Sequence, residues 1–345
     1  MNRPQYYVGV DVAAETLATS LLTEPGQGIL SLPEIANTLD GFHVFEQWLI
    51  DHQATPENTI ICLEATGVYG EALCYYLCSK QYQVAVEPPL KVKRAFHQGT
   101  HKTDAVDADH IAEYAHRFFD ELHLWTPPAP VLEQVKVLLS VRDHFIVQKT
   151  ANSNALRALE RKQHPTPIAT AMYRQTIEDL TENIKSLDKE IKRLLDDNQS
   201  YRKLIAILTS VTGIGMVFAA NLLVLTQGFT RPVSHKNIAS YAGVCPLQHT
   251  SGTSVYRKPR SRHFGPGTFR KLLYLASLSI STHNPQFRQY YLRKVAEGKP
   301  KRLVLNNIGN KLLKVVCALV KEQSMFIPNY RSVNPHFLKI GLTLT

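Results

Sequence analysis

The chain has 345 residues and 39 Lys/Arg against 29 Asp/Glu, a formal net charge of +10, and its length points to two or three domains. No apolar run reaches the roughly 18 residues of a membrane span, and Met1-Asn2-Arg3-Pro4 lacks a signal-peptide pattern, so a cytoplasmic location and no membrane partner are expected. Five cysteines (Cys62, Cys74, Cys78, Cys245, Cys317) are odd in number and lack zinc spacing, which argues for buried thiols rather than a disulfide or zinc scaffold.

The charge is unevenly spread. Residues 1–130 hold 7 Lys/Arg and 17 Asp/Glu, residues 131–205 hold 13 and 10, and residues 206–345 hold 19 and 2. So basic a C-terminal part repels itself unless a polyanion neutralises it, and nucleic acid is the obvious one. An acidic N-terminal part repels phosphates unless its carboxylates are masked by metal.

In chain order, Tyr6–Asp11 reads as a buried strand ending on a carboxylate, followed by strands over Leu17–Leu22 and Ile29–Ile35. Gly41–His52 reads as a helix with Phe42, Phe45, Trp48 and Leu49 on one face. Thr59–Glu64 is a second buried strand that closes on a carboxylate. Tyr69–Ser79 is a helix, Gln83–Val86 a strand, and Leu90–Phe96 a short basic helix. His101-Lys102-Thr103-Asp104 then opens a helix over Asp104–Phe118. The order βββαβαβα plus an acidic helix is that of the ribonuclease H fold, an α/β domain.

In such a sheet, ligands collect outside the carboxyl ends of the strands. Asp11 and Glu64 sit at such ends, and Asp104 and Asp107, three apart, share one helix face. Four carboxylates converging from three segments repel one another unless cations lie between them. Hard oxygen ligands with open water positions suit Mg²⁺, with Mn²⁺ as a substitute, in a phosphoryl-transfer site. Each residue also has a plain reading: a strand end, or an acidic first turn favoured by the helix dipole. Glu15 and Asp109 are the decoys.

Trp125–Pro130 is a proline-rich break. Beyond it Val131–Lys162 reads as a helix, and Ile177, Leu180, Ile184, Leu187, Ile191 and Leu194 form a short heptad seam. The seam suits either packing within a helical hairpin or pairing with a second protomer. In Leu204–Leu225, Thr212-Gly213-Ile214-Gly215 lies between two helices. Its backbone amides suit a phosphate, as in a helix–hairpin–helix, although a plain tight turn has the same pattern.

Ser251-Gly252 is read as a hydroxyl on a flexible turn, just before Arg257, Lys258, Arg260 and Arg262. It is either a nucleophile toward phosphate, with arginines offsetting the transition-state charge, or a loop serine beside a phosphate-binding strip. Gly267–Ser281 and Arg302–Lys321 read as core helices, and Lys299, Lys301, Arg302, Lys311 and Lys314 add positive surface.

Taken together, Val8-Gly9-Val10-Asp11, Leu63-Glu64-Ala65-Thr66-Gly67, Lys102-Thr103-Asp104-Ala105-Val106-Asp107-Ala108, Thr212-Gly213-Ile214-Gly215, Tyr241-Ala242-Gly243-Val244-Cys245-Pro246 and Ser251-Gly252 resemble the DEDD-type transposases of insertion-sequence family one-ten, also called bridge-RNA-guided recombinases. Gly298-Lys299 and Asn310-Lys311-Leu312-Leu313 extend the resemblance to about residue 322. Thr212 departs from the proline more usual in its turn, and Pro259 and Pro266-Gly267 stand where a plainer Gly-rich segment belongs.

The resemblance implies a RuvC-like nuclease domain over 1–125, a coiled-coil hairpin over 131–203, a mainly α transposase domain over 204–325 and a tail over 326–345. It implies that Asp11, Glu64, Asp104 and Asp107 bind magnesium and that Ser251 forms a covalent link to DNA. It also implies a structured bridge RNA that pairs with donor and target DNA, and dimers that assemble into tetramers. Gly213, Gly215, Arg257, Lys258, Arg260, Arg262, Arg270, Lys299, Lys301 and Arg302 would then hold nucleic-acid backbones. Two rivals stand beside this reading. One is a metal-dependent Holliday-junction or structure-specific nuclease that uses water, and the other a nucleic-acid-binding protein with a dead nuclease fold.

Overall fold

The computed structural model describes residues 3–23, 28–65, 67–96, 103–164, 166–230, 234–251, 255–261 and 265–328. The chain divides into two compact units, Met1–Pro127 and Pro128–Thr345.

The first unit is built on a five-stranded sheet of β1 (Tyr6–Val12), β2 (Thr16–Leu22), β3 (Ile29–Ala36), β4 (Thr59–Glu64) and β5 (Gln83–Glu87), in the order β3-β2-β1-β4-β5. β1 to β3 pair antiparallel, whereas β4 runs parallel to β1 and β5 parallel to β4. The unbroken apolar runs of β1 and β4 follow from burial on both faces. Val8, Val10, Ile61 and Leu63 meet Phe42, Phe45 and Leu49 of α1 (Leu39–Asp51) and Leu73 and Leu77 of α2 (Glu71–Ser79). On the other face Tyr7, Ile60, Cys62 and Ala85 meet Val92 of α3 (Pro89–Ala95) and Ile111, Tyr114 and Ala115 of α4 (Asp104–Arg117). This α/β arrangement is compatible with a RuvC-like domain. β3 is the open edge: it carries Pro33, which an inner strand does not tolerate. There its register slips by one residue opposite Ala18.

Among its described residues the second unit is helical apart from one hairpin. α5 (Pro130–Leu159) and α6 (Pro167–Asp197) run antiparallel, clamped by Arg142 on Asp188 at 2.6 Å and Arg174 on Glu160 at 2.9 Å. The seam residues Leu180, Ile184 and Ile191 are buried within this single chain, so intramolecular packing already accounts for much of the heptad pattern. Ile191 and Leu195 join Leu132, Val135 and Leu139 in the same core as the helices that follow. These are α7 (Gln199–Thr209), α8 (Met216–Thr226), α9 (His235–Tyr241), α10 (Gly267–His283), α11 (Pro285–Ala296) and α12 (Lys301–Glu322).

Three expectations need correction. Ser251 does not lie on a turn but ends a strand, in an antiparallel hairpin of β6 (Pro246–Ser251) and β7 (Val255–Ser261). Its prolines and cations lower strand propensity and hid it. α12 is long and apolar enough, by length and composition, to cross a membrane; its apolar face is spent instead on the core through Val304, Leu305, Ile308, Leu312, Leu313 and Val316. Of the thiols, Cys62 and Cys74 are buried, but Cys78, Cys245 and Cys317 are only half-buried. All five are free. Burial pushes the Cys74 thiol up to about 12.

Gly9 decides how α4 sits. A Cβ built there would lie 2.1 Å from the Ala108 carbonyl oxygen and 2.4 Å from the Ala112 nitrogen, both backbone atoms that a rotamer change cannot move. Gly9→Ala is therefore expected to destabilise the protein by about 1–3 kcal/mol through overpacking, read as a lowered urea midpoint. An unchanged midpoint would contradict this packing.

Candidate active site

Side chains alternate along a strand, so Tyr7, Gly9 and Asp11 of β1 face α4, as do Cys62 and Glu64 of β4 and Ala85 and Glu87 of β5. The register sets Gly9 beside Cys62, Val10 beside Leu63, and Glu64 beside Glu87. Asp11, Glu64 and Glu87 thus stand in a row at the carboxyl ends of three parallel strands, with neighbouring strands about 4.8 Å apart.

α4 runs antiparallel to β1 across this row. The Tyr7 ring meets His116 edge-on at 4.8 Å near the helix C-terminus, and Gly9 lies beneath Ala108 and Ala112. Further up the strand toward Asp11, the helix runs back to its first turn, which carries Asp104 and Asp107. The Thr103 side chain caps that turn by accepting from the Val106 N–H at 3.3 Å. Asp104 is exposed and lines a groove with Ala18, the cross-strand partner of Asp11, and with Glu34.

The decoys lie apart. Asp109 accepts a hydrogen bond from Ser20 Oγ at 2.5 Å, and Glu15 is an exposed residue in the β1–β2 turn. Among the described residues no three His, Cys, Asp or Glu side chains close on one point as a metal cage. The donor set itself, carboxylate oxygens on one face at one end of the sheet, fits a hard divalent ion.

Glu87 is the residue that sequence reasoning missed, because the strand was taken to end at Val86. It is a buried charge, 1% exposed. Lys91 Nζ lies 3.0 Å from one carboxylate oxygen, and the His123 backbone N–H donates to the other at 3.3 Å. Against the cost of its own burial, Tyr114 and Glu87 hold the Lys91 ammonium above its ordinary range. The available signal was a third parallel strand closing on an acid in Val84-Ala85-Val86-Glu87-Pro88.

In the second unit, Gly213 has φ +93°, and a Cβ there would meet the Ala276 carbonyl oxygen at 2.7 Å. Turn geometry and contact with α10 are thus sufficient reason for this glycine. Gly215, by contrast, caps α8 beside open space, in a groove that Lys189 and Lys192 also line. Ser251 is the last residue of β6 and pairs with Val255; Arg257 pairs with His249 and Arg260 with Leu247. Lys258 lies between them on β7. Gly252 and Arg262, like Lys102 and residues 329–345 of the tail, lie outside the described residues. Arg270 is half-buried and donates to the Ala242 carbonyl at 3.0 Å. Lys299, Lys301 and Arg302 are exposed around the start of α12.

The first unit carries a candidate phosphoryl-transfer site and the second is strongly basic, a pairing that suits an enzyme acting on DNA. Residues 8–165 match a transposase family of the IS110 DEDD type, and residues 205–292 match the transposase family IS116/IS110/IS902. The first span contains Asp11, Glu64, Asp104 and Asp107, and the second contains Ser251 and the basic hairpin. A pilin gene-inverting protein of Moraxella lacunata is 26% identical over 324 residues, covering 93% of this chain and 97% of its own. Its counterpart in Moraxella bovis is 25% identical over the same shares. A 43.6 kDa insertion element IS110 protein of Streptomyces coelicolor is 22% identical over 317 residues, 71% of this chain and 77% of its own. The chain belongs to the IS110 family of DEDD-type transposases.

Lys91→Ala leaves the buried Glu87 carboxylate without its cation, and about 1–3 kcal/mol of stability should be lost. Adding Glu87→Gln to that variant should restore part of the loss, as read from urea midpoints. Equal midpoints for all three proteins would show that the pair contributes nothing.

Proposed function

We propose that this transposase cleaves and rejoins DNA through a covalent link to Ser251, in a magnesium-dependent reaction guided by a structured RNA. The observation that carries the reading is that Asp11 and Glu64 end neighbouring parallel strands on the sheet face covered by α4, the helix whose first turn carries Asp104 and Asp107. That arrangement also supports assigning the first unit as a RuvC-like domain. Asp11, Glu64, Asp104 and Asp107 are the residues that would hold the ion. When bound, Mg²⁺ or Mn²⁺ supplies Lewis-acid neutralisation of charge at the scissile phosphate.

The Ser251 hydroxyl gives up its proton and its oxygen attacks phosphorus. The bond from phosphorus to the leaving sugar oxygen breaks, and that oxygen takes up a proton. A serine phosphodiester keeps the energy of the broken linkage, so attack by a sugar hydroxyl of another strand rejoins DNA without a nucleotide cofactor. Arg257, Lys258, Arg260 and Arg262 offset the charge that grows on the phosphate oxygens. Gly213, Gly215, Arg270, Lys299, Lys301 and Arg302 hold nucleic-acid backbones.

The charge of the C-terminal part supports a polyanionic partner. A guide RNA that pairs with donor and target DNA would account for the use of backbone-holding rather than base-reading residues. Relatives named for inverting the pilin gene support strand exchange over simple cutting. The reading has Ser251 and the carboxylates act on one phosphate, within one chain or between the protomers of a dimer or tetramer. The α5–α6 hairpin serves as a coiled-coil arm of the assembly, and the reaction takes place in the cytoplasm, where bacterial DNA lies.

The test is to incubate the purified protein, with its co-purifying nucleic acid, with donor and target DNA and Mg²⁺, then run denaturing gels. Wild type should give a covalent protein–DNA band that Ser251→Ala and Asp104→Asn lack. Arg257→Ala should form it about 10²–10³-fold more slowly, the cost of losing one transition-state donor. Free cut ends with no covalent band from wild type would overturn the serine and leave the water-using nuclease.

A further inference from the structure

The cleft between α10 and α12 is unlike the other basic surfaces of the second unit. It has a volume of about 480 Å³, within the range of about 300–1,000 Å³ usual for ligand sites. Arg270 and Arg302 flank it, and among the described residues no acidic side chain lines it. Its walls are apolar, formed in part by Tyr274 and Leu303, which are 42% and 46% exposed. The groove beside α7 and α12 also sets cations, Lys203, Lys314 and Lys321, beside rings, Phe229 and His235, but its charges are compact ammonium groups rather than planar guanidiniums. An aromatic ring, an aliphatic wall and two guanidiniums together match a different ligand. A planar base stacks on tyrosine or guanidinium, and the attached phosphate takes the charge.

The cleft is also prearranged. Arg270 is pinned by its hydrogen bond to the Ala242 carbonyl, so its guanidinium does not have to be ordered on binding. Asn306 and Asn310 both donate to the Val244 carbonyl, at 2.9 and 3.3 Å, and fix residues 243 and 244 to α12. Two residues later the β6–β7 hairpin begins. Whatever fills the cleft therefore lies at the root of the hairpin that ends β6 on Ser251.

We propose that this cleft holds one unpaired nucleotide of a single strand, with its base against Tyr274 and Leu303 and its phosphate between Arg270 and Arg302. The proposal rests on the reading of the chain as a strand-cleaving enzyme, and gives it a seat for the strand next to the serine hairpin. The ligand chemistry is a base joined to a phosphate, which either DNA or RNA supplies.

The experiment uses full-length Ser251→Ala protein stripped of nucleic acid, and competition by single-stranded DNA, single-stranded RNA and an abasic DNA of the same length. The base-bearing strand is expected to bind at least tenfold tighter than the abasic one. Tyr274→Ala with Leu303→Ser should shrink that advantage below twofold, while Arg302→Ala should weaken both strands alike. Both altered apolar residues are exposed, and circular dichroism checks that the double variant is folded. If it is not, a photoreactive thiobase in the strand replaces it, and a cross-link to a peptide containing Tyr274 or Leu303 is the expected result. The better of the DNA and RNA competitors identifies the source. Equal affinity for base-bearing and abasic strands, an advantage that survives the double variant, or cross-links confined to other peptides would overturn the proposal. A base advantage in a protein whose wild type forms no covalent band would sustain the cleft and sink the serine reading. The converse would sink only the cleft.

Discussion

The first unit depends on one close approach: α4 lies on β1 because residue 9 has no side chain. With Ala108 and Ala112 resting on Gly9, the helix axis drops toward the sheet by the depth of a side chain. That depth sets how closely the helix that opens on Asp104 and Asp107 lies to the strand that carries Asp11. A bulkier residue would lift the helix and carry both aspartates away with it.

Charge then accounts for much of what surrounds this contact. Three acids end three parallel strands on one face, and they are treated differently. Glu87, at the edge of the sheet, is buried and neutralised from within by Lys91 and the His123 amide. Asp11 and Glu64 are only half-buried, and Asp104 is open to water. The Lys91 ammonium is committed to Glu87, 3.0 Å from its carboxylate. In the second unit the balance is reversed, with 19 cations and two anions over residues 206–345.

Much of this was legible in the sequence where burial dictates composition. The double-sided runs of β1 and β4 are almost continuous hydrophobes, and the carboxylates that end them break the run sharply. Glu87 was not legible in the same way, since Pro88-Pro89 follows it at once and the strand was closed one residue early. The β6–β7 hairpin was hidden because Pro246, Pro259 and a string of cations outweigh the alternation of a two-stranded ribbon. α11 carried a signal, Asn284 capping a helix with Pro285 in its first turn, but contributes no fully buried residue to mark an amphipathic face. The seam of α6 was legible as a pattern, but its partner within the chain, α5, is set by the Arg142–Asp188 and Glu160–Arg174 pairs that only the fold brings together.

The central claim is that Asp11, Glu64, Asp104 and Asp107 act as one cation site while neighbouring acids do not. The most direct measurement is Mn²⁺ titration of the full-length protein followed by electron paramagnetic resonance, with single variants of each acid. Asp11→Asn, Glu64→Gln, Asp104→Asn and Asp107→Asn should each weaken binding by about tenfold or more, as loss of one charged ligand does. Asp109→Asn and Glu15→Gln should bind like wild type. Binding that is lost in Asp109→Asn and kept in Asp11→Asn, or no Mn²⁺ bound by wild type, would contradict the account.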